Sequence, residues 1–533
     1  MTILNHTQIN NNSLIKTKVC IIGSGLSAQI IASNLRDVEI TMIDSGKIDY
    51  DESIQDLNHI EEAGLPFRKN HKNRVRQLGG SANLWANQLM HIGKDIITPR
   101  DWVTKDFSFP FNKDVMNVNY KKVIELVYKK YFNNLDYQKL DVSNHKDLVL
   151  EKEFIETGIF KFNNHFWPSK IEKFNSKSDF TQKIINFKNI KFLENFTATE
   201  MKINNETQEI DNIKIRSGNK TIIIESNYFI LSCGALENAR LLLNNSKFSK
   251  ILQNPNIGRY FMDHPRITLG ELILNKKIPL SNLLGIKNIN YDFRRSIKLS
   301  SKYQSEKKIL DGYAFLDPKY EPEDSNNFEI FLNEIKKLLK LKGIPNINKI
   351  LINYKKNFEQ IYLMLGPQVS SSKLNFILQN FFNRKNYSFS FNKMNINYQS
   401  EQCPNYESKV YLSEKEDYYN QNKIIVDWKL KDIDYKTYDE FSLALKNKLN
   451  INSFIKFNEY KERKITDASH HSGTTRMSTN RLDGVVDKNC KLHDIKNLFI
   501  SGNSVFRTTG AANPGLTNMA ISLYLAKHIR SLI

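Results

Sequence analysis

The sequence predicts an α/β fold: a Rossmann-like frame at the N-terminus, with further strands downstream. Three observations predict it. The run KVCII at 18–22 is short, apolar and β-branched, as a buried parallel strand is. It leads straight into Gly23-Ser24-Gly25-Leu26-Ser27-Ala28 and a helical pattern to about Leu35. Far downstream, 387–402 alternates roughly and is rich in aromatics, which fits a long strand of a second sheet.

Each element of the frame has a chemical reason. Gly23 permits the tight turn, Gly25 lets backbone approach a pyrophosphate, and Ala28 stands where a third glycine is usual. The helix behind them offers free N–H groups and a positive dipole end to phosphates. A second strand is expected over 38–43. Asp44 ends it roughly 20 residues after the glycines, where a carboxylate holds ribose hydroxyls. This order predicts a dinucleotide site and fits FAD and NAD alike. Further on, 229–231 reads as a buried strand with Gly234-Ala235 as a tight exit into a helix, fed by paired strands near 196–203 and 213–215. A last strand is expected over 497–500, with Gly502-Asn503-Ser504 beyond its end.

Bulk properties narrow the rest. A chain of 533 residues, 40% hydrophobic and 25% charged, has room for two or more domains. The formal net charge of +20 would suit a nucleic-acid binder. The basic residues are spread along the chain among abundant Asn and Ile, however, so no nucleic-acid partner is expected. Cys20, Cys233, Cys403 and Cys490 form no CxxC pair, so neither a disulfide framework nor a metal is expected. Free buried thiols fit a reducing cytoplasm. The polar N-terminal tail lacks the apolar core of a secretory signal, and no apolar run reaches membrane-spanning length. A cytoplasmic location is the expectation.

Five blocks in order resemble the glucose–methanol–choline (GMC) oxidoreductase family. They are the Gly23 loop with IDSG at 43–46, RQLGGSANLW at 76–85, FILSCGALENARLLL at 229–243 with NIGRYFMDHP at 256–265, SEQCPNYESKVYLS at 400–413, and SHHSGTTRMS at 469–478 with GAANPGLTNMA at 510–520. The resemblance implies an FAD-dependent enzyme that removes a hydride from a CH–OH group. It implies a discontinuous Rossmann-like FAD-binding domain over 1–100, 190–265 and 465–533. A substrate-binding domain over 101–189 and 266–464 would roof the flavin with its antiparallel sheet. By the same resemblance Gly79, Gly80 and Ser81 lie along the flavin and phosphates, backbone near Ala198 meets the adenine, and Gly234, Gly502 and Asn503 approach the cofactor. Covalently flavinylated members carry a His before the tryptophan of the second block. Here Leu84 precedes Trp85, so FAD is expected to be non-covalent. Trp85 leans the resemblance towards the pyranose-oxidase-like, sugar-oxidising branch.

The family pattern also assigns catalytic roles. His470, seven residues before Met477, takes the place of the base that accepts the hydroxyl proton, with hydride then passing to flavin N5. Imidazole suits this work because its ordinary pKa lies near neutral pH. Asn513 takes the second catalytic position, where an amide hydrogen-bonds the substrate oxygen but cannot serve as a base. Pro514 suits the first turn of a helix whose positive end would face the flavin. Pro514 and Thr517 are assigned to the cofactor. The expected substrate is a sugar or another polyhydroxylated or cyclic alcohol. Oxidase and dehydrogenase are not separated, and the electron acceptor stays open. So do two alternatives: a basic protein that keeps FAD without turnover, and a lyase on the same fold.

Between 326 and 364, Phe328, Phe331, Leu332, Ile335, Leu338 and Leu339 fall on one helical face with lysines interleaved. A lid packed on its own domain and a surface hairpin docked on a membrane or an acidic substrate share this pattern. The lid is the expectation.

Overall fold

The apolar run near the N-terminus forms the strand Leu14–Ile22, exposed at its start and buried over Val19, Cys20, Ile21 and Ile22. The computed structural model describes residues 1–67, 73–104, 113–132, 158–167, 174–247, 249–279, 292–318, 330–335, 337, 346–351, 390–449 and 455–533. Leu14–Ile22 lies in the middle of an eight-stranded sheet. On one side it pairs in parallel with Ile40–Asp44, then Ile190–Glu194 and Thr2–Leu4. On the other it pairs in parallel with Lys220–Leu231. The far edge of that long strand is shared. Glu209–Ser217 pairs antiparallel with its first half and leads to Thr197–Asn204, while Leu498–Ile500 pairs in parallel with its last residues.

The register puts four strand ends together. Ile22 faces Leu231 and Ile43, and Leu231 faces Ile500. The loops leaving these ends begin at Gly23, Ser45, Ser232 and Ser501. In an open parallel sheet, ligands bind outside these carboxyl ends, where the strand order reverses. The helix Leu26–Asn34 follows the first loop, with Gly25 as N-cap. The C-terminal helix Gly515–Leu532 packs along it, and Ser27 Oγ donates to Asn518 Oδ1 at 2.6 Å.

A six-stranded antiparallel sheet orders Ile455–Glu459, Arg266–Pro279, Ser390–Ser400, Gly312–Pro318, Asp292–Leu299 and Phe160–Trp167. The alternation expected over 387–402 appears as Ser390–Ser400; 387–389 lie outside the described residues. One face is covered by the helix Asp432–Leu449, whose Tyr438, Phe441 and Leu445 pack with Ile396, Tyr398, Ala314 and Leu316. The period-2 alternation sends Tyr313 to the other face, where it meets Met90, Ala511 and Ala512. A three-stranded sheet of Lys409–Glu416, Asn422–Asp427 and Ile60–Glu62 flanks the two.

Packing departs from the expected division at 101–189. The helix Lys113–Phe132 buries Met116, Tyr120, Val123, Ile124 and Tyr128 in the core of the eight-stranded sheet, against the C-terminal helix. Phe174, Phe180 and Ile184 join the same core. Among the described residues of 101–189, only Phe160–Trp167 enters the antiparallel sheet. The cause is apolar spacing: these side chains recur on one helical face, which closes over the nearest uncovered apolar surface. Of the 326–364 segment, Phe331 is fully buried, while Ile347 and Leu351 are exposed. Phe328, Leu338 and Leu339 lie outside the described residues. No helix among the described residues is long and apolar enough to cross a membrane.

Candidate active site

A cavity of about 470 Å³ opens at the carboxyl ends of the parallel strands. Gly23, Gly25, Asp44 and Gly234 line one part of it. Gly23 has φ +103°, and a Cβ there would lie 2.4 Å from the Ser232 carbonyl oxygen, so no larger residue fits the turn. Asp44 is held by the loop it serves. Its Oδ2 accepts from the Ser24 N–H at 2.9 Å and the Ser24 hydroxyl at 2.6 Å, and its Oδ1 accepts from Gly46 N at 2.8 Å. Burial pushes its pKa up against those bonds. Gly80, Ser81 and Ala198 also line the cavity, as do Gly502 and Asn503. Ala28, Gly79 and Thr517 do not. Ala28 is buried in the first helix, Gly79 bridges Gly25 with its N–H on the Ser24 carbonyl, and the Thr517 hydroxyl bonds the Tyr120 hydroxyl at 2.9 Å. These three shape the wall from behind.

His470, Asn513 and Pro514 line the same cavity, though far from the glycine loop in sequence. The His470 N–H bonds the Asp263 carboxylate at 3.1 Å, as do the N–H groups of Ala468 and His264. His470 Nδ1 lies 2.8 Å from His264 Nδ1, and His264 Nε2 lies 2.8 Å from the Gly510 carbonyl. A carbonyl only accepts, so Nε2 of His264 carries the hydrogen. Burial pushes the pKa of His264 down to about 4, so its ring is neutral near pH 7 and its Nδ1 is a lone pair. His470 must then donate from Nδ1, which leaves its Nε2 as the basic nitrogen. Asp263, His264 and His470 have ligand-type atoms within 4.8 Å of one another, a spacing a metal could use. Here the bonds just described join them.

Asn513 Oδ1 accepts from Gln399 Nε2 at 3.1 Å and from the Tyr313 hydroxyl at 3.4 Å. Pro514 is the N-cap of the C-terminal helix, and Gly515 begins it. A Cβ on Gly515 would come within 2.3 Å of the Trp85 ring, so the tryptophan seals this helix start. Helix N–H groups and the positive dipole end therefore face the cavity.

Four further lining residues, Arg74, Arg76, Glu237 and Arg240, were invisible to sequence reasoning. Arg74, Arg76 and Arg240 surround Glu237 at 3.0, 2.9 and 3.2 Å, and Arg240 also pairs with Asp417. Burial would raise the Glu237 pKa, but Arg76, Arg240 and Arg74 hold it well below the usual carboxylate range. His471 lines the cavity and packs on Phe67 with ring centres 4.9 Å apart. Burial, then Arg74, pushes its pKa down to about 3. His264, Gln399 and Tyr313 were also missed. The MDHP run at 262–265 was the available signal for His264: polar residues closing a loop before a strand. Five buried polar atoms on this cavity lack a hydrogen-bond partner among the described residues: Arg74 Nε, Asn87 Nδ2, Ser232 Oγ, His471 Nε2 and Asn503 Oδ1. Buried polar atoms are normally satisfied, so this set fits a site built around a polar ligand.

Residues 404–522 match the family model described as GMC oxidoreductase. A 62-residue stretch is 37% identical to pyranose 2-oxidase of Lyophyllum shimeji; it covers 12% of this chain and 10% of that protein. The fold is similar to that of pyridoxine 4-oxidase from Mesorbium loti, with TM-score 0.55 and 13% identity over 97% of this chain and 99% of that one. Formate oxidase of Aspergillus oryzae gives TM-score 0.56 and 14% identity over 98% and 99%. An FAD-dependent oxidoreductase from Chaetomium thermophilum gives 0.56 and 13% over 97% and 99%. At these identities the structural likeness is one of fold.

Proposed function

We propose that this chain is an FAD-dependent enzyme of the GMC oxidoreductase family, whose model it matches over residues 404–522, and that it oxidises the CH–OH group of a sugar or another polyhydroxylated or cyclic alcohol. One observation carries the reading: His470, with Nε2 left basic, and Asn513 line the cavity that the glycine loop also lines.

The residues fit FAD. The Gly23–Gly25 loop and the first helix would hold the pyrophosphate, Asp44 the ribose, and backbone near Ala198 the adenine. Gly80, Ser81, Gly502, Asn503 and the start of the C-terminal helix would hold the flavin end. Leu84 has no nucleophilic atom, so the cofactor is held without a covalent bond at this position. When bound, FAD supplies the hydride acceptor.

The protein's part is proton chemistry and placement. His470 Nε2 takes the hydroxyl proton as the carbinol hydrogen leaves. His264 holds the imidazole in the tautomer that can do so. Asn513 bonds the substrate oxygen. The helix behind Pro514 presents its positive end where negative charge gathers. Trp85 and the short match to pyranose 2-oxidase support the sugar side of the reading. The test is anaerobic titration of the FAD-loaded protein with a panel of sugars and alcohols. The expected result is bleaching of the oxidised-flavin spectrum by one class. No bleaching across the panel, with FAD bound, counts against the reading.

A further inference from the structure

A run of hydrogen bonds leads from Arg266 to Asn513, and every direction in it is forced. A guanidinium only donates. Arg266 Nε donates to Gln399 Oε1 at 2.8 Å, between two residues paired in register across the antiparallel sheet. A peptide carbonyl only accepts, and the Ala511 carbonyl accepts from Gln399 Nε2 at 3.0 Å. With an obligatory donor at one end and an obligatory acceptor at the other, the buried Gln399 amide has one orientation. The second Nε2 hydrogen lies toward Asn513, 3.1 Å away. The Asn513 atom there must be the oxygen, because the reverse would set two NH2 groups against each other. Its Nδ2 is thereby turned away from Gln399, on the side of the cavity it lines.

We propose that Gln399 and Arg266 are positioning residues that fix Asn513 as a hydrogen-bond donor to the substrate oxygen. This rests on the alcohol-oxidising reading above. His470 presents a lone pair and Asn513 an N–H. A hydroxyl answers both, giving its proton to His470 and accepting from Asn513. As the proton leaves, charge builds on the oxygen and the Asn513 N–H gains strength with it.

The experiment is neutron diffraction of the FAD-loaded protein, exchanged into heavy water, for the native chain and for Gln399→Glu. In the native map, two deuterons on the cavity-side atom of the Asn513 amide are expected; oxygen on that side overturns the proposal. A carboxylate at 399 cannot donate, so in the variant Asn513 is expected to reverse and point oxygen at the cavity. An unchanged Asn513 would show that Gln399 does not set it. The native map decides even if the variant does not fold. It needs no substrate, so its failure is distinct from failure of the alcohol-oxidising reading. Where an alcohol does bleach the flavin, Gln399→Glu and Asn513→Asp should each slow reduction by roughly 100-fold, the cost of losing one such donor. The pair together should be no slower than either alone.

Discussion

His264→Ala tests the tautomer argument. His264 is fully buried and makes two ring bonds, to His470 Nδ1 and to the Gly510 carbonyl, both at 2.8 Å. Only the first bears on the reaction. It is a bond between neutral groups, contributing about 0.5–1.5 kcal/mol. Since about 1.4 kcal/mol is tenfold in rate, removing the tautomer bias should slow proton abstraction by roughly twofold to tenfold. That is well short of the roughly 10²- to 10⁴-fold expected from losing the base itself. The assay is anaerobic stopped-flow reduction of the flavin in four proteins: native, His264→Ala, His264→Asn and His470→Ala. Asparagine can place a carbonyl oxygen near the lost Nδ1, so His264→Asn should recover most of the rate. It still loses the Gly510 bond, so its melting temperature should stay lowered. Rate and stability thus part company. Equal rates for His264→Ala and His264→Asn, or no loss in either, would refute the argument.

Other predictions follow from the same structure. Among the described residues, Glu237→Gln leaves Arg74, Arg76 and Arg240 with only Asp417 as a carboxylate partner, and it should destabilise the fold by about 3 kcal/mol in urea unfolding. Because the folded pKa of Glu237 is depressed, its contribution is fully present above its ordinary 4.5 and fades as pH falls below that. For His264 and His471, lowered to about 4 and about 3, stability is fully present above the ordinary 6.5 and is lost as pH falls from there. The native melting temperature should therefore drop between pH 6.5 and pH 4. Gly23→Ala forces a Cβ against the Ser232 carbonyl and should abolish FAD loading, read as loss of visible absorbance in the purified protein. Thr517→Val leaves the buried Tyr120 hydroxyl without that partner and should cost about 1 kcal/mol of stability, with FAD affinity unchanged.

The parts of the fold legible in the sequence are those encoded by neighbours in the chain. The run 18–22, the glycine turn and Asp44 lie within one βαβ unit, where periodicity and turn chemistry are local. The helix after Pro514 is legible for the same reason. The parts that were not legible depend on pairing between distant segments. Lys113–Phe132 has an amphipathic pattern, but nothing in that pattern says which apolar surface it covers. Gln399 and Tyr313 reach Asn513 only because strand register and alternation turn them to one face. Arg74, Arg76 and Arg240 meet around Glu237 from two segments more than 150 residues apart, so no spacing rule could join them. Thr517 shows the converse. Its place beside Pro514 suggested the cofactor, but helical geometry turns it toward Tyr120.

The most direct test of the central claim is single-turnover flavin reduction in His470→Ala against the native protein, both loaded with FAD and mixed anaerobically with whichever sugar or alcohol bleaches the native spectrum. The account predicts an intact oxidised-flavin spectrum in the variant and a reduction rate lower by roughly 10² or more. Reduction at the native rate would show that the base lies elsewhere and would contradict the account.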